Sequence, residues 1–135
     1  GQAAIELEDL ADPNQTGYYD YLISREENMW IMDVFPMWRQ LVTEITKGCP
    51  VSAMAQKFHL TLIQMFSEML IKVRDETGLN RVVLSGGVFH NQILLTGLMQ
   101  NLTSQDFSVY QHQQVPPGDG GISLGQAIIA SEVNA

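Results

Sequence analysis

Apolar positions along this chain change their spacing several times, and each change marks the edge of an element. From Gln2 to Ala11 the apolar residues of QAAIELEDLA fall on one helical face with acids on the other, and Asp12-Pro13-Asn14 ends the pattern. Tyr18 to Ile23 (YYDYLI) and Met29 to Val34 (MWIMDV) are rich in aromatic and β-branched residues, so the polar stretch Ser24 to Asn28 between them predicts a hairpin. Pro36 stands near the start of a helix that should run through Lys47, where Gly48 and then Pro50 stop it.

The longest periodic segment is Val51 to Thr77. There Met54, Phe58, Leu62, Met65, Met69 and Val73 recur at steps of three and four, flanked by Ile63, Phe66 and Leu70, which predicts a broad, deeply buried helical face packed as core. Gly78 should end that helix. Arg81 to Leu84 then reads as a short buried strand, Asn91 to Thr103 as a helix and Phe107 to Tyr110 as a second strand. Gly97 inside the helix costs about 1 kcal/mol relative to alanine. After Val115-Pro116-Pro117 the chain turns through Gly118-Asp119-Gly120-Gly121 into a last helix ending near Ser131. Helix, strand, helix, strand, helix is the order of an α/β fold with parallel strands and flanking helices, and both glycine turns fall at carboxyl ends of strands. No repeat, low-complexity tract or Ser/Gly-rich linker interrupts residues 1–135, which read as a single domain.

Composition narrows the functions. A chain of 135 residues with 45% hydrophobic content can bury a real core. A net charge of −8 argues against a nucleic-acid surface, whose affinity comes from Lys and Arg neutralising phosphates. Eight of the fifteen acids lie between Glu6 and Asp33, and no Lys or Arg follows Arg81. Any phosphate held in that last part must therefore use backbone N–H groups, a helix dipole or a metal. The chain opens at Gly1 with no Met, no basic leader and no apolar run long enough to span a bilayer; Gly1 reads as a cut end, with neither signal peptide nor membrane helix expected. Cys49 alone can form no internal disulfide or cysteine-built zinc site, which predicts a reducing, cytoplasmic setting.

Chemistry is concentrated at the two glycine turns. In Leu84-Ser85-Gly86-Gly87-Val88-Phe89-His90-Asn91 the paired glycines either allow a tight turn or let a ligand approach bare peptide groups, and Asn91 can cap the next helix or touch that ligand. Asp119, one of three acids after Arg81, can cap the last helix or bind a metal. There is no GxxxxGK[ST], and Gly118 to Ser123 lacks the third glycine of GxGxxG, so P-loop and Rossmann readings fall away. His59 flanks the apolar stripe and reads as a satisfied core or edge residue, His90 adjoins the turn without a partner at ligand spacing, and His112 reads as exposed.

Taken together, GQAAIELE at Gly1 to Glu8, FH at Phe58-His59, VVLSGGVFHN at Val82 to Asn91 and PPGDGGISLGQA at Pro116 to Ala127 resemble the C-terminal end of the HypF family of hydrogenase maturation carbamoyltransferases. The resemblance covers essentially the whole chain and implies part of a Kae-like domain within the actin-like and sugar-kinase (RNase H-like) superfamily. It implies that carbamoyl phosphate and ATP give carbamoyl adenylate, which carbamoylates the C-terminal cysteine of HypE on the route to the cyanide ligands of [NiFe]-hydrogenase. Gly86, Gly87 and Asn91 match the family's nucleotide-binding turn, Gly1 and Glu6 a segment that approaches the ribose, and Asp119 an aspartate ligand of a divalent metal (iron, zinc or magnesium). The family's HxxxH metal ligands would lie before Gly1, its acylphosphatase-like, zinc-finger-like and YrdC-like domains are not in this sequence, and His90 stands where glutamine is common. The fragment alone is expected to be inactive. A non-catalytic nucleotide-binding or partner-docking module and a lobe of an actin-like kinase are the competing readings.

Overall fold

The longest apolar stripe does fold into the longest helix. The structure, a computed structural model, describes residues 1–133. In chain order its elements are α1 (Gln2–Asp9), β1 (Leu22–Glu26), β2 (Met29–Asp33), α2 (Phe35–Thr46), α3 (Val51–Thr77), β3 (Arg81–Leu84), a 3₁₀ turn (Gly87–His90), α4 (Gln92–Ser104), β4 (Ser108–Gln111), a second 3₁₀ turn (Asp119–Gly121) and α5 (Ile122–Val133). Gly78 stops α3 in a left-handed conformation, φ 70°, with its N–H donating to the Arg74 carbonyl. Strands β3 and β4 pair in parallel from Arg81 opposite Ser108 to Leu84 opposite Gln111, and α4 is the crossover between them. The α/β class with parallel strands and flanking helices is therefore what the chain adopts.

The core forms where α3, α4 and this small sheet meet. Ile63, Leu84, Leu94, Leu98, Leu102 and Phe107 are buried there, Leu102 completely. Gly97 has a packing reason that its sequence context hides: a Cβ at this position would collide with the end of the Ile63 side chain and lie 3.1 Å from its Cγ1. The helix-propensity cost accompanies a close approach of α4 to α3. Strand β3 is less buried than its apolar run suggests, because Val83 is 67% exposed while Leu84 is buried. A two-stranded sheet with helices against one face leaves the other face in solvent.

The hairpin exists, but its first strand is displaced. It was expected at Tyr18 to Ile23; β1 instead begins at Leu22 and takes in Ser24 to Glu26, leaving Glu27 and Asn28 as the turn, with Glu27 at φ 52°. The tyrosines are engaged elsewhere. Buried Tyr19 donates its N–H to Thr61 Oγ1 (2.8 Å) and its hydroxyl to Glu44 (2.7 Å), and the Tyr21 hydroxyl donates to Glu68 (2.9 Å), so this stretch is an extended tie across α2 and α3. Burial, then the neighbouring carboxylate, holds both phenols above the usual tyrosine range, where they remain neutral donors.

Helix α3 also differs from a simple apolar stripe. Its buried face includes Met54, Ile63 and Met65, but equally Gln56, His59, Thr61 and Ser67, whereas Phe66 is exposed. The hydroxyls of Thr61 and Ser67 donate to the Lys57 and Ile63 carbonyls one turn back, which makes their burial tolerable. At the other extreme, α5 packs chiefly against the turn before it and leaves Ile122, Leu124, Ile128 and Ile129 about half exposed or more. Among the described residues no helix is long and apolar enough to cross a membrane.

Candidate functional site

The carboxyl ends of β3 and β4 bring the two glycine turns together. Gly86 has φ 112° and ψ 159°, a conformation that excludes side chains, and its N–H donates to the Pro117 carbonyl at 2.8 Å. A methyl group on Gly118 would stand 3.5 Å from the Gly87 Cα and 3.3 Å from His90 Nε2, so the second turn lies directly against the first. Gly87 differs from its neighbour. Its φ is ordinary and a Cβ there would meet nothing within 4 Å, so neither backbone strain nor crowding within the chain requires glycine. Of the two amides, Gly86's is already bonded within the chain.

Gly87, Gly1 and Asn91 line a single cavity of about 440 Å³, with Ile5, Leu7, Phe58, Leu62, Val88 and Leu94 as apolar walls. Asn91 is the N-cap of α4: its Oδ1 accepts from the Leu94 N–H at 2.9 Å. Its Nδ2 lies 2.9 Å from His59 Nε2, while His59 Nδ1 lies 2.7 Å from the Ala55 carbonyl. With Asn91 Oδ1 engaged by a backbone N–H, its amide nitrogen must donate to Nε2, and Nδ1 then carries the ring proton that binds Ala55. His59 is 2% exposed, so the expectation of a satisfied core histidine holds, with an added job in orienting the cap.

The two acids of α1 part company. Glu6 is exposed, accepts from Gln2 Nε2 at 2.7 Å and does not line the cavity. Glu8 does line it, and its Oε1 accepts the Gln92 N–H at 2.6 Å, putting a carboxylate at the positive end of the α4 dipole. Sequence reasoning passed over Glu8. Spacing alone gave no means of telling which acid faces α4.

Comparison with known proteins decides the family. Residues 1–126 match the family model for the carbamoyltransferase, Kae1-like domain, second subdomain. The chain belongs to the HypF carbamoyltransferase family. It is 34% identical over 131 residues to carbamoyltransferase HypF of Synechocystis sp., covering 95% of this chain and 16% of that protein. To carbamoyltransferase HypF2 of Cupriavidus necator it is 33% identical over 99 residues, 73% of this chain and 12% of the relative. A crystal structure of full-length HypF in the phosphate- and nucleotide-bound form superposes with a TM-score of 0.91 at 42% identity, over 98% of this chain and 17% of that one. The chain thus spans about a sixth of the Synechocystis HypF and of the full-length HypF structure, and its fold is that of part of a Kae1-like domain.

Within this HypF segment Asp119 opens the second 3₁₀ turn. Its side chain is exposed, and among the described residues no hydrogen bond to its carboxylate is seen. Among the described residues, however, no three His, Cys, Asp or Glu side chains converge. A transition metal needs several convergent ligands. The residues present fit one ligand position and do not form a closed metal site. His90 and His112 border a second, smaller cavity of about 140 Å³ with Gln92, Gln111 and Pro117. His112 is exposed, as expected, yet its Nε2 lies 2.8 Å from Ser85 Oγ.

Proposed function

We propose that this chain forms the nucleoside-facing wall of an ATP-dependent carbamoyltransferase. In this reading carbamoyl phosphate and ATP yield carbamoyl adenylate, and the carbamoyl group passes to the C-terminal cysteine thiol of HypE for hydrogenase cyanide-ligand synthesis, in the cytoplasm. The observation that carries it is Gly87: a glycine that neither backbone angle nor crowding among the described residues requires, lining an apolar cavity of ligand size. The nucleotide-bound form of the full-length relative supports the same reading.

The cavity's chemistry suits the nucleoside end better than the phosphates. Apolar walls from Phe58, Leu62 and Leu94 suit a base, and the Glu8 carboxylate can accept hydrogen bonds from hydroxyls but repels phosphate. The dipole end of α4 already has Glu8 and the Asn91 cap on it. With no Lys or Arg after Arg81, affinity should depend only weakly on salt. Asp119 would supply one ligand to a divalent metal, which would act as a Lewis acid at the phosphates. The remaining ligands and the donor-forming chemistry lie outside these residues in this reading, so the isolated chain should not transfer carbamoyl groups.

The test is ATP titration of the full-length protein carrying Gly87→Val. A β-branched side chain there fills the approach to the turn, and affinity should fall at least about tenfold with the unfolding midpoint unchanged. Wild-type affinity in that variant would refute the assignment.

A further inference from the structure

One contact beside the glycine turn is used by neither the fold's ladder nor the cavity wall. The β3–β4 ladder ends at Leu84 opposite Gln111. Ser85 and His112 are the next residue on each strand, and there the pairing continues through side chains, Ser85 Oγ to His112 Nε2 at 2.8 Å. Both residues are exposed, where a side-chain hydrogen bond adds little to stability. Its position is what distinguishes it. Ser85 immediately precedes Gly86, and His112 begins the loop whose Pro117 carbonyl takes the Gly86 N–H and whose Gly118 rests on Gly87.

We propose that Ser85 and His112 are positioning residues: their hydrogen bond holds the two loops in one register, and so sets how the Gly87 peptide presents itself to the nucleotide. The loop from His112 to Pro117 has no helix or strand of its own; the side-chain bond ties its start to the first turn, and the Gly86–Pro117 bond with the packing of Gly118 on Gly87 ties its end. Without the side-chain bond the loop is tied to the first turn only near its far end, through the Pro117 hydrogen bond and the packing of Gly118 on Gly87, and the start of the loop must be re-ordered at each binding event. This inference rests on the nucleotide reading above and names two residues that carry it without touching the ligand.

The experiment is ATP titration of the full-length protein as Ser85→Ala, His112→Ala, the double variant and His112→Gln, each with a thermal unfolding curve. Each single alanine variant should weaken binding about fivefold to tenfold, the scale of one lost hydrogen bond. The double variant should be no weaker than either single one, because both remove the same interaction. Glutamine places an amide near the Nε2 position and should recover most of the affinity, with unfolding midpoints nearly constant throughout. Additive losses, unchanged affinity in the single variants, or affinity that only follows the unfolding midpoint would overturn the inference. Gly87→Val in the same titration separates the two claims. If it abolishes binding while the Ser85 and His112 variants bind normally, only the positioning role fails; if Gly87→Val itself binds normally, the nucleotide assignment fails and this inference with it.

Discussion

The two turns that follow the parallel strands use the same device, glycines leading into a helix, yet they are completed to different degrees. Around the first, Asn91 caps α4 and is itself held by His59, Glu8 takes the Gln92 N–H, and Pro117 takes the Gly86 N–H. Around the second, the Asp119 carboxylate is exposed with no hydrogen bond among the described residues, and the helix it introduces leaves Ile128 and Ile129 in solvent. Buried polar groups must be satisfied locally, whereas exposed ones need not be. Substitutions of the capping groups around the first turn should therefore register as stability, and substitutions at its open glycine, Gly87, and at Asp119 as binding.

The sharpest contrast lies in the apolar residues beyond each turn. Leu102 of α4 is fully buried, so Leu102→Ala should cost about 3 kcal/mol in urea unfolding. Ile129 of α5 is 66% exposed, and Ile129→Ala should stay within about 0.5 kcal/mol. Equal losses would mean that α5 is packed as tightly as α4 and would erase the comparison.

Next in size is the cap. Asn91→Ala removes the acceptor of the Leu94 N–H and leaves buried His59 Nε2 without its donor, a combined loss of about 2 kcal/mol by the same measurement. Asn91→Asp keeps the acceptor but not the donor, and should fall between wild type and Asn91→Ala. If the alanine variant were as stable as wild type, the first turn would not be the closed structure described here.

Acid reaches the helix that backs the first turn by another route. Burial alone would raise the Glu44 carboxyl, but its bonds to the Lys57 ammonium and the Tyr19 hydroxyl outweigh it and hold the group below its ordinary value of 4.5. Because the folded value is the lower one, the pair's contribution is complete above that value and is lost as pH falls through the folded one. The effect should be about 1 kcal/mol or less. Stability measured from pH 7 down to 3 should fall less steeply in Glu44→Gln than in wild type, and superimposable acid limbs would sink this account of the α2–α3 tie.

Smallest of all in stability is exposed Asp119→Asn, which breaks no hydrogen bond seen among the described residues and should change unfolding by less than about 0.5 kcal/mol. In the full-length protein the same change should lower bound metal, read by elemental analysis, and carbamoyl transfer to HypE. A normally metallated, fully active variant would return Asp119 to the role of an ordinary exposed turn residue.

What could be read without a structure was local. The bounds of α3 follow from a stripe repeating at helical steps and from Gly78, which takes up the left-handed stop it was assigned. The cap at Asn91 is likewise decided within a few residues of chain, and the strand–helix–strand order is legible element by element and implies the parallel pairing that β3 and β4 adopt. The motifs at Gly1, Ser85 and Pro116 carried the family in the same way. Long-range packing decided the rest. Glu6 and Glu8 are both acids on one short helix, and only the rotation of α1 against α4 turns Glu8 into the cavity. The aromatic run at Tyr18 looked like a strand until hydroxyl bonds to Glu44 and Glu68 drew it across two helices. Gly97 looked like a helix defect until Ile63 occupied the space beside it. Gly86 and Gly87 are indistinguishable as letters, but one is required by its backbone angle and the other by nothing in the chain. Periodicity and caps depend on neighbours one or two turns away, which a sequence displays; which face meets which depends on contacts between residues far apart in the chain, and those exist only once it has folded.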